Sequence, residues 1–286
     1  MAYSRSSHVI IRSVFCMLFF ICPVVSSGQE LDLLNRPVNT IGLTGMIYTT
    51  SPFVLPSKTI EIGTFSQSEN SLAPSYSLTE YTMTMTTGIS GSMEMALKGS
   101  YYGYNQQSSG KRSRDIDDID LAFKWNFLKQ PEDSVQPAVA LIAGVTRPAK
   151  HRDLITSSVD HWASWIGIAT GAELTWAEHS LGIYADTRAI FQDLAQEASK
   201  EQYYRTNMGI LFPVSKYRNL QMLVEYSIVS GKDVQLITGT DYSAVTYGLR
   251  LVNERFNLSI GTQFLHKKAD GFDDSSRVVG MMSFKI

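Results

Sequence analysis

Alternation of apolar and polar residues dominates the chain from residue 59 onward. The stretch LTEYTMTMTT, residues 78–87, places Tyr81, Met83 and Met85 between polar neighbours. Because successive side chains of a β-strand point to opposite faces, this stretch predicts a strand with one apolar and one polar face. The last ten residues, RVVGMMSFKI, alternate in the same way, so the final strand also has one apolar face.

Twelve segments carry this alternation, and most span ten residues or more. Strands of soluble proteins average about five or six residues, whereas a tilted strand needs about ten to cross a bilayer. The sequence therefore predicts an all-β fold, a 12-stranded antiparallel transmembrane β-barrel. The predicted strands are 59–66, 78–88, 93–104, 116–128, 137–147, 161–175, 180–191, 202–212, 220–230, 241–251, 256–266 and 276–286.

The links between these segments alternate between long and short. A polar link at 67–77 is followed by the tight turn 89–92 and then by the charged loop 105–115. Outer-membrane barrels combine short periplasmic turns with long extracellular loops, and an even strand count leaves both ends on the periplasmic side. A soluble β-sandwich, the competing interpretation, would have to bury these long apolar faces in its own core.

Aromatic residues near the predicted strand ends suggest interfacial girdles. Trp125, Trp165, Tyr203 and Phe264 are among them. In the final strand, even-numbered residues should face lipid and odd-numbered residues the lumen. That strand resembles the C-terminal insertion signal of bacterial outer-membrane barrels, although Phe284 stands two residues before the end. The resemblance implies the barrel-insertion machinery as a partner.

Residues 1–28 are expected to be a secretory signal peptide. Arg5 and Arg12 precede the short apolar run VFCMLFFICPVV, and small residues follow it. A lipoprotein signal ending at Cys22 is the alternative, but the residues before Cys22 are bulky. Both cysteines of the chain, Cys16 and Cys22, lie in this segment, so the mature chain would have neither disulfides nor thiolate metal sites.

Residues 29–58 do not follow the strand pattern, since Pro52 and Pro56 interrupt them. We expect this N-terminal segment to lie inside the lumen, with an additional strand as the alternative. The transmembrane β-barrel itself would then span residues 59–286.

Charge narrows the possible partners. The net charge is −2, and the chain has no basic aromatic patch, so no nucleic-acid partner is expected. Sorting by alternation places eight acids and seven bases on the inner face. Two interpretations remain open: interior ion pairs filling a narrow barrel, or a weakly selective pore between opposed charges. The predicted pore-lining residues are Glu94, Lys98, Asp118, Asp120, Lys124, Arg188, Arg205, Glu225 and Arg250.

Catalytic chemistry has weak support. His161 follows Asp160 near the predicted outer rim, but acids and histidines are common in such loops. His179 and Ser180 are adjacent and would point to opposite faces, which does not suit a catalytic pair. Asp270 and the stretch FDD, residues 272–274, could bind Ca²⁺ through carboxylate oxygens, but the pattern favours a solvated loop. We therefore expect no enzyme, no cofactor and no metal.

One block, residues 115–150, resembles a known family of outer-membrane barrels, the phenol meta-pathway transporter family. The matching residues are Asp118, Leu121, Lys124, Trp125, Phe127, Leu128, Pro137, Ala138, Ala140 and Pro148. Asp117 and Lys150 stand where the family pattern has glycine. The resemblance implies an outer-membrane barrel with a link to aromatic substrates.

The expected location is the outer membrane of a Gram-negative cell, with outer-membrane lipid, lipopolysaccharide and a small-molecule solute as further partners. The expected function is passage of small molecules, with apolar or aromatic compounds as candidates, through a narrow, charge-balanced lumen. The alternative is a non-conducting surface barrel whose long loops bind a partner. Loop 105–115, with Lys111, Arg112 and Arg114, is the best candidate for such binding.

Overall fold

The computed structural model describes residues 34, 36–72, 75–106, 111–131, 134–147, 162–176, 179–193, 200–214, 219–231, 242–267 and 274–286. Within them, twelve strands form one closed barrel in which neighbours pair antiparallel and the first strand pairs with the last. The predicted 12-stranded antiparallel barrel is confirmed. The strands are β1 (Ile60–Leu72), β2 (Ser75–Ser90), β3 (Met93–Gln106), β4 (Lys111–Leu128), β5 (Ala138–Arg147), β6 (Ala163–Trp176), β7 (His179–Asp193), β8 (Lys200–Pro213), β9 (Leu220–Gly231), β10 (Tyr242–Val252), β11 (Phe256–Lys267) and β12 (Ser275–Lys285).

Several strands extend further towards the extracellular end than predicted. The β1–β2 pair continues to Leu72 and Ser75, so the polar link expected at 67–77 is mostly strand. Likewise β4 begins at Lys111, inside the predicted loop 105–115. The alternation test missed these parts because a strand beyond the lipid band does not need an apolar face. No helix among the described residues is long and apolar enough to cross a membrane.

The outer face of the barrel is apolar and exposed. On β2, Met83 is 65% exposed, whereas its neighbours Thr82 and Thr84 are buried. The closing strand follows the predicted faces, since Phe284 is exposed and Val279 is fully buried. An apolar outward band on a closed barrel is the surface that lipid covers.

The closing pair β1–β12 continues beyond the last strand residue. Ile60 and Ile286 exchange both backbone hydrogen bonds, at 3.1 and 2.8 Å. The first and last strands therefore meet at one end of the barrel, which the short connections identify as the periplasmic end.

We call residues 36–59 the lumen segment. Residues 36–55 lie inside the barrel against its inner wall, and Pro56, Ser57 and Lys58 are exposed where the chain leads into β1. The segment contains two isolated bridges, Val38↔Thr44 and Gly45↔Thr50. Apolar side chains of the segment pack against wall side chains in two buried clusters, with Met46 beside Leu211 in one and Leu43 beside Ala140 in the other. Small wall residues make room for the segment, and Ala96, Ala122, Ala138, Ala140 and Ala169 are at most 1% exposed. The predicted signal peptide, residues 1–28, lies outside the described residues.

Candidate functional site in the barrel lumen

Glu225 on β9 holds the middle of the lumen segment. Its carboxylate accepts hydrogen bonds from the backbone amides of Ile47, Tyr48 and Thr49, at 3.2, 2.9 and 2.7 Å. Glu225 is 1% exposed. A buried amide without an acceptor costs free energy, and an ionised acceptor makes the stronger bond. The wall carboxylate therefore takes the place of the water that would solvate this turn.

Glu94 and Lys124 form a fully buried ion pair that also binds the segment. They face each other on β3 and β4, with 2.8 Å between Lys124 Nζ and Glu94 Oε1. Glu94 accepts from the amides of Thr44 and Leu55, both at 2.8 Å. Lys124 donates to the carbonyls of Thr44 and Ser51, at 3.1 and 3.0 Å. A buried ion pair is stable only when its remaining donors and acceptors are satisfied, and the segment satisfies them here.

Two further wall acids bind the segment near their own cationic partners. Asp186 accepts from the amide of Thr50 at 2.7 Å and contacts Arg188 Nε at 3.1 Å. Glu173 pairs with Arg36 of the segment at 2.7 Å. The sequence does not predict Arg36 as a site residue, because the alternation that marks inward residues does not extend to this segment. Its position after the predicted signal peptide carried no signal that the strand pattern could detect.

Donors of the wall meet the carbonyl groups of the segment. Arg250 donates to the carbonyl of Gly45 at 3.1 Å, and Asn126 donates to the carbonyl of Pro52 at 2.9 Å. Wall acids thus accept from segment amides, while wall cations and amides donate to segment carbonyls. The near-balance of charge along the inner face corresponds to the two kinds of backbone group that this segment presents.

Several inward side chains nearer the extracellular end remain partly exposed. The Lys98–Asp120 pair, 3.2 Å apart, keeps 17% and 20% of its side-chain surface accessible. Tyr48 of the lumen segment is also partly exposed, and its hydroxyl donates to Gln67 Oε1 at 3.3 Å. We call this region the outer vestibule. Its described lining includes Tyr48, Lys98, Asp120, Trp165, Tyr203, Arg205 and Arg277.

Two aromatic residues expected in the lipid girdles face the lumen instead. A Cβ built on the inward residue Gly144 would lie 2.4 Å from the Trp165 ring, so the ring packs directly over this glycine. Tyr203 packs against the inward cluster that contains Tyr242. The girdle prediction was wrong for both residues. The alternation that turns Glu173 inward on β6 also turns Trp165 inward, and this signal was present in the sequence.

Arg205 on β8 stands apart from the other cations of the lumen. It lies opposite Arg188 on β7 and donates through Nη2 to the hydroxyl of Tyr242 at 3.1 Å. Among the described residues, no carboxylate lies within ion-pair distance of it. Arg277, by contrast, contacts Glu69 at 2.7 Å. Glu69 was missed as an inward acid because its stretch had been interpreted as a loop.

The predicted pore-lining residues thus divide into two groups. Glu94, Lys124, Glu225 and Arg250 bind the lumen segment, and Arg188 is buried beside Asp186, which also binds it; Lys98, Asp120 and Arg205 lie in the outer vestibule. Asp118 belongs to β4, but its side chain lies outside what the structure describes. Within the described ranges, no three His, Cys, Asp or Glu residues come together as metal ligands. Whether these residues line a conducting pore stays a prediction.

Comparison with known proteins identifies the architecture. No protein-family model matches the chain, and no curated protein matches it in sequence. An outer membrane channel from Pseudomonas putida F1 matches with a TM-score of 0.62 and 10% identity, covering 84% of this chain and 100% of that one. The NanC porin matches with a TM-score of 0.55 and 10% identity, covering 79% and 100%. The translocator domain of the autotransporter NalP from Neisseria meningitidis matches with a TM-score of 0.50 and 8% identity, covering 79% and 87%.

At these identities the similarity shows the fold alone. The matched proteins are bacterial outer-membrane barrels, and the closed 12-stranded barrel described above has the same architecture. The chain is therefore an outer-membrane β-barrel, as its sequence predicts. Membership of the phenol meta-pathway transporter family stays a hypothesis.

Proposed function

We propose that this protein is an outer-membrane channel for small solutes whose lumen segment closes the periplasmic half and must move for passage. The observation that carries this proposal is the way the segment is held. Its backbone groups bind wall carboxylates, Lys124 and Arg250, and water can replace each of these hydrogen bonds. A plug held in this way can leave behind a hydrated, charge-balanced passage.

The outer vestibule supports the solute class expected from the sequence. Trp165 and Tyr203 present aromatic rings to the lumen, and most of the described charges at this level are paired, Arg205 being the exception. We propose small molecules, apolar or aromatic compounds among them, as the solutes. Outer-membrane lipid and lipopolysaccharide would cover the apolar outward face, and the barrel-insertion machinery would recognise β12. We propose no catalytic role.

A disulfide between the lumen segment and the wall tests this function. A Cβ built on Gly63 would lie 2.8 Å from Val38 Cγ2, so Val38→Cys with Gly63→Cys brings two thiols within reach. Thr84 Oγ1, which lies 2.6 Å from the same Cβ position, has no hydrogen-bond partner and can rotate away. Since Cys16 and Cys22 lie in the predicted signal peptide, the engineered thiols would be the only two in the mature protein.

The measurement is single-channel conductance in planar bilayers. The oxidised double variant should conduct far less than the wild type, and reduction should restore conductance because it frees the segment. Each single-cysteine variant, treated with the same oxidant, serves as the control. Equal conductance of oxidised and reduced protein would show that passage does not need movement of this segment.

A second function remains, because the periplasmic half of the lumen is tightly filled. Glu94, Lys124 and Arg250 are 0% exposed there. A barrel that stays filled would not conduct, and its extracellular loops would then bind a partner. Absence of conductance from the correctly folded wild type, under reducing and oxidising conditions alike, would favour this function over the channel.

A further inference from the structure

Two arginines face each other directly across neighbouring strands in the lumen. Arg188 on β7 and Arg205 on β8 are partners in the β-sheet register. Like charges directly opposite each other destabilise a sheet. Arg188 is compensated, since its Nε lies 3.1 Å from Asp186 and its Cζ lies 5.6 Å from the Trp165 ring centroid. Among the described residues, no ion pair of Arg205 itself offsets its positive charge.

The other charged groups described in this part of the lumen have partners. Three pairs account for most of them: Lys98–Asp120, Arg277–Glu69 and Arg188–Asp186. Glu80 on β2 accepts hydrogen bonds from Gln67 and Thr82, and β2 lies opposite β8 in the ring of strands. Among the described residues, Arg205 is therefore the one vestibule cation without a carboxylate partner.

Aromatic side chains surround this guanidinium. Tyr203 precedes Arg205 by two residues and lies on the same inward face of β8. Tyr242 and Arg205 both pair in register with Val229 on β9, from opposite sides, and the Tyr242 hydroxyl accepts the arginine's hydrogen bond at 3.1 Å. A guanidinium offers a planar fork of donors that matches a carboxylate, and aromatic rings pack well against a planar apolar body. The site thus combines a hydrogen-bond donor for an anion with aromatic surfaces that can pack against a ligand's ring.

We propose that Arg205 is the centre of a subsite that binds the carboxylate of a small aromatic acid in the outer vestibule. The subsite rests on the proposed channel function and names a solute class for it. A bound carboxylate supplies a second negative charge beside the two arginines, of which Asp186 pairs only with Arg188. Tyr203, on the same inward face of β8, provides an aromatic surface beside it.

Calorimetric titration of the full-length protein in detergent tests the subsite without requiring passage. The probe is benzoate in a low-chloride buffer, and benzyl alcohol serves as the uncharged probe of similar shape. Arg205→Gln should weaken benzoate binding at least about tenfold, because hydrogen bonds to charged groups carry this much or more of the affinity. Benzyl alcohol should bind both proteins equally. Arg205→Lys, which keeps the charge and loses the fork, should give an intermediate loss.

Three outcomes would overturn the subsite: no saturable benzoate binding by the wild type, equal benzoate binding by Arg205→Gln, or the same loss for both probes. A gel mobility that shifts on boiling, as the wild type's should, shows that the variant still forms the barrel. The disulfide experiment is independent of these titrations. Benzoate binding can therefore fail while conductance persists, or persist in a barrel that does not conduct.

Discussion

Two ion pairs on the same two strands show how differently the halves of the lumen behave. Glu94 pairs with Lys124, and Lys98 pairs with Asp120, each directly across β3 and β4. The first pair has no exposed side-chain surface, whereas the second keeps 17% and 20% exposed. The lumen segment covers only the first pair. Neighbouring charges of the same type therefore serve as internal anchors in one half and as a hydrated lining in the other.

The contrast explains why charge balance alone does not reveal a pore. In the periplasmic half, acids and bases bind the amides and carbonyls of the lumen segment. In the outer vestibule the described charges pair with one another, except at Arg205, and the Lys98–Asp120 pair remains accessible to water. Both arrangements need similar numbers of each charge, so the composition of the inner face is the same for a plug-binding wall and for a weakly selective pore.

The largest expected effect comes from breaking the buried pair. Lys124→Met should lower the free energy of unfolding by about 3–5 kcal/mol, because it leaves Glu94 buried without its cation. Lys98→Met should lower it by at most about 1 kcal/mol, since Asp120 stays hydrated. Urea unfolding in lipid vesicles measures both changes. Similar losses in the two variants would contradict the contrast between the halves.

An intermediate effect is expected from Glu225→Gln, which weakens three hydrogen bonds to the lumen segment. An amide side chain accepts less strongly than a carboxylate and brings its own N–H groups towards the backbone amides. A cysteine placed at Thr49, beside this contact, should then react about tenfold faster with a water-soluble maleimide. Asp120→Asn in the outer vestibule is the matched control and should leave that rate unchanged. An unchanged rate in Glu225→Gln would mean that the carboxylate does not hold the segment.

The smallest expected effect concerns the unfolding of Arg205→Gln. The substitution removes a like-charge contact with Arg188 and one hydrogen bond to Tyr242. These contributions oppose each other, so the free energy of unfolding should change by no more than about 0.5 kcal/mol. The same urea titration measures it. A loss of several kcal/mol would show that Arg205 stabilises the barrel. Arg205 would then behave like the buried anchors and not like the hydrated residues of the vestibule.

The sequence predicts the strands well where lipid imposes an apolar face. The exposed faces of β2 and β12 follow the alternation residue by residue. The prediction failed at 67–77, where β1 and β2 continue beyond the lipid band with polar residues on both faces. That failure also hid Glu69, the partner of Arg277. Trp165 and Tyr203 were misplaced for another reason, since their nearness to strand ends was weighed above the alternation itself.

The sequence by itself determined the class of fold and the direction of most side chains, because a strand repeats every two residues and lipid demands one apolar face. It could not determine how far along the lumen each inward residue lies, or whether the lumen segment covers that residue. Glu94 and Lys98 have the same alternation signal, yet only Glu94 lies beneath the lumen segment. Residues 36–59 follow no regular period, so their contacts with Glu225, Lys124 and Arg250 arise only when the closed wall surrounds them. Tertiary structure therefore decided which charges are anchors and which remain in water.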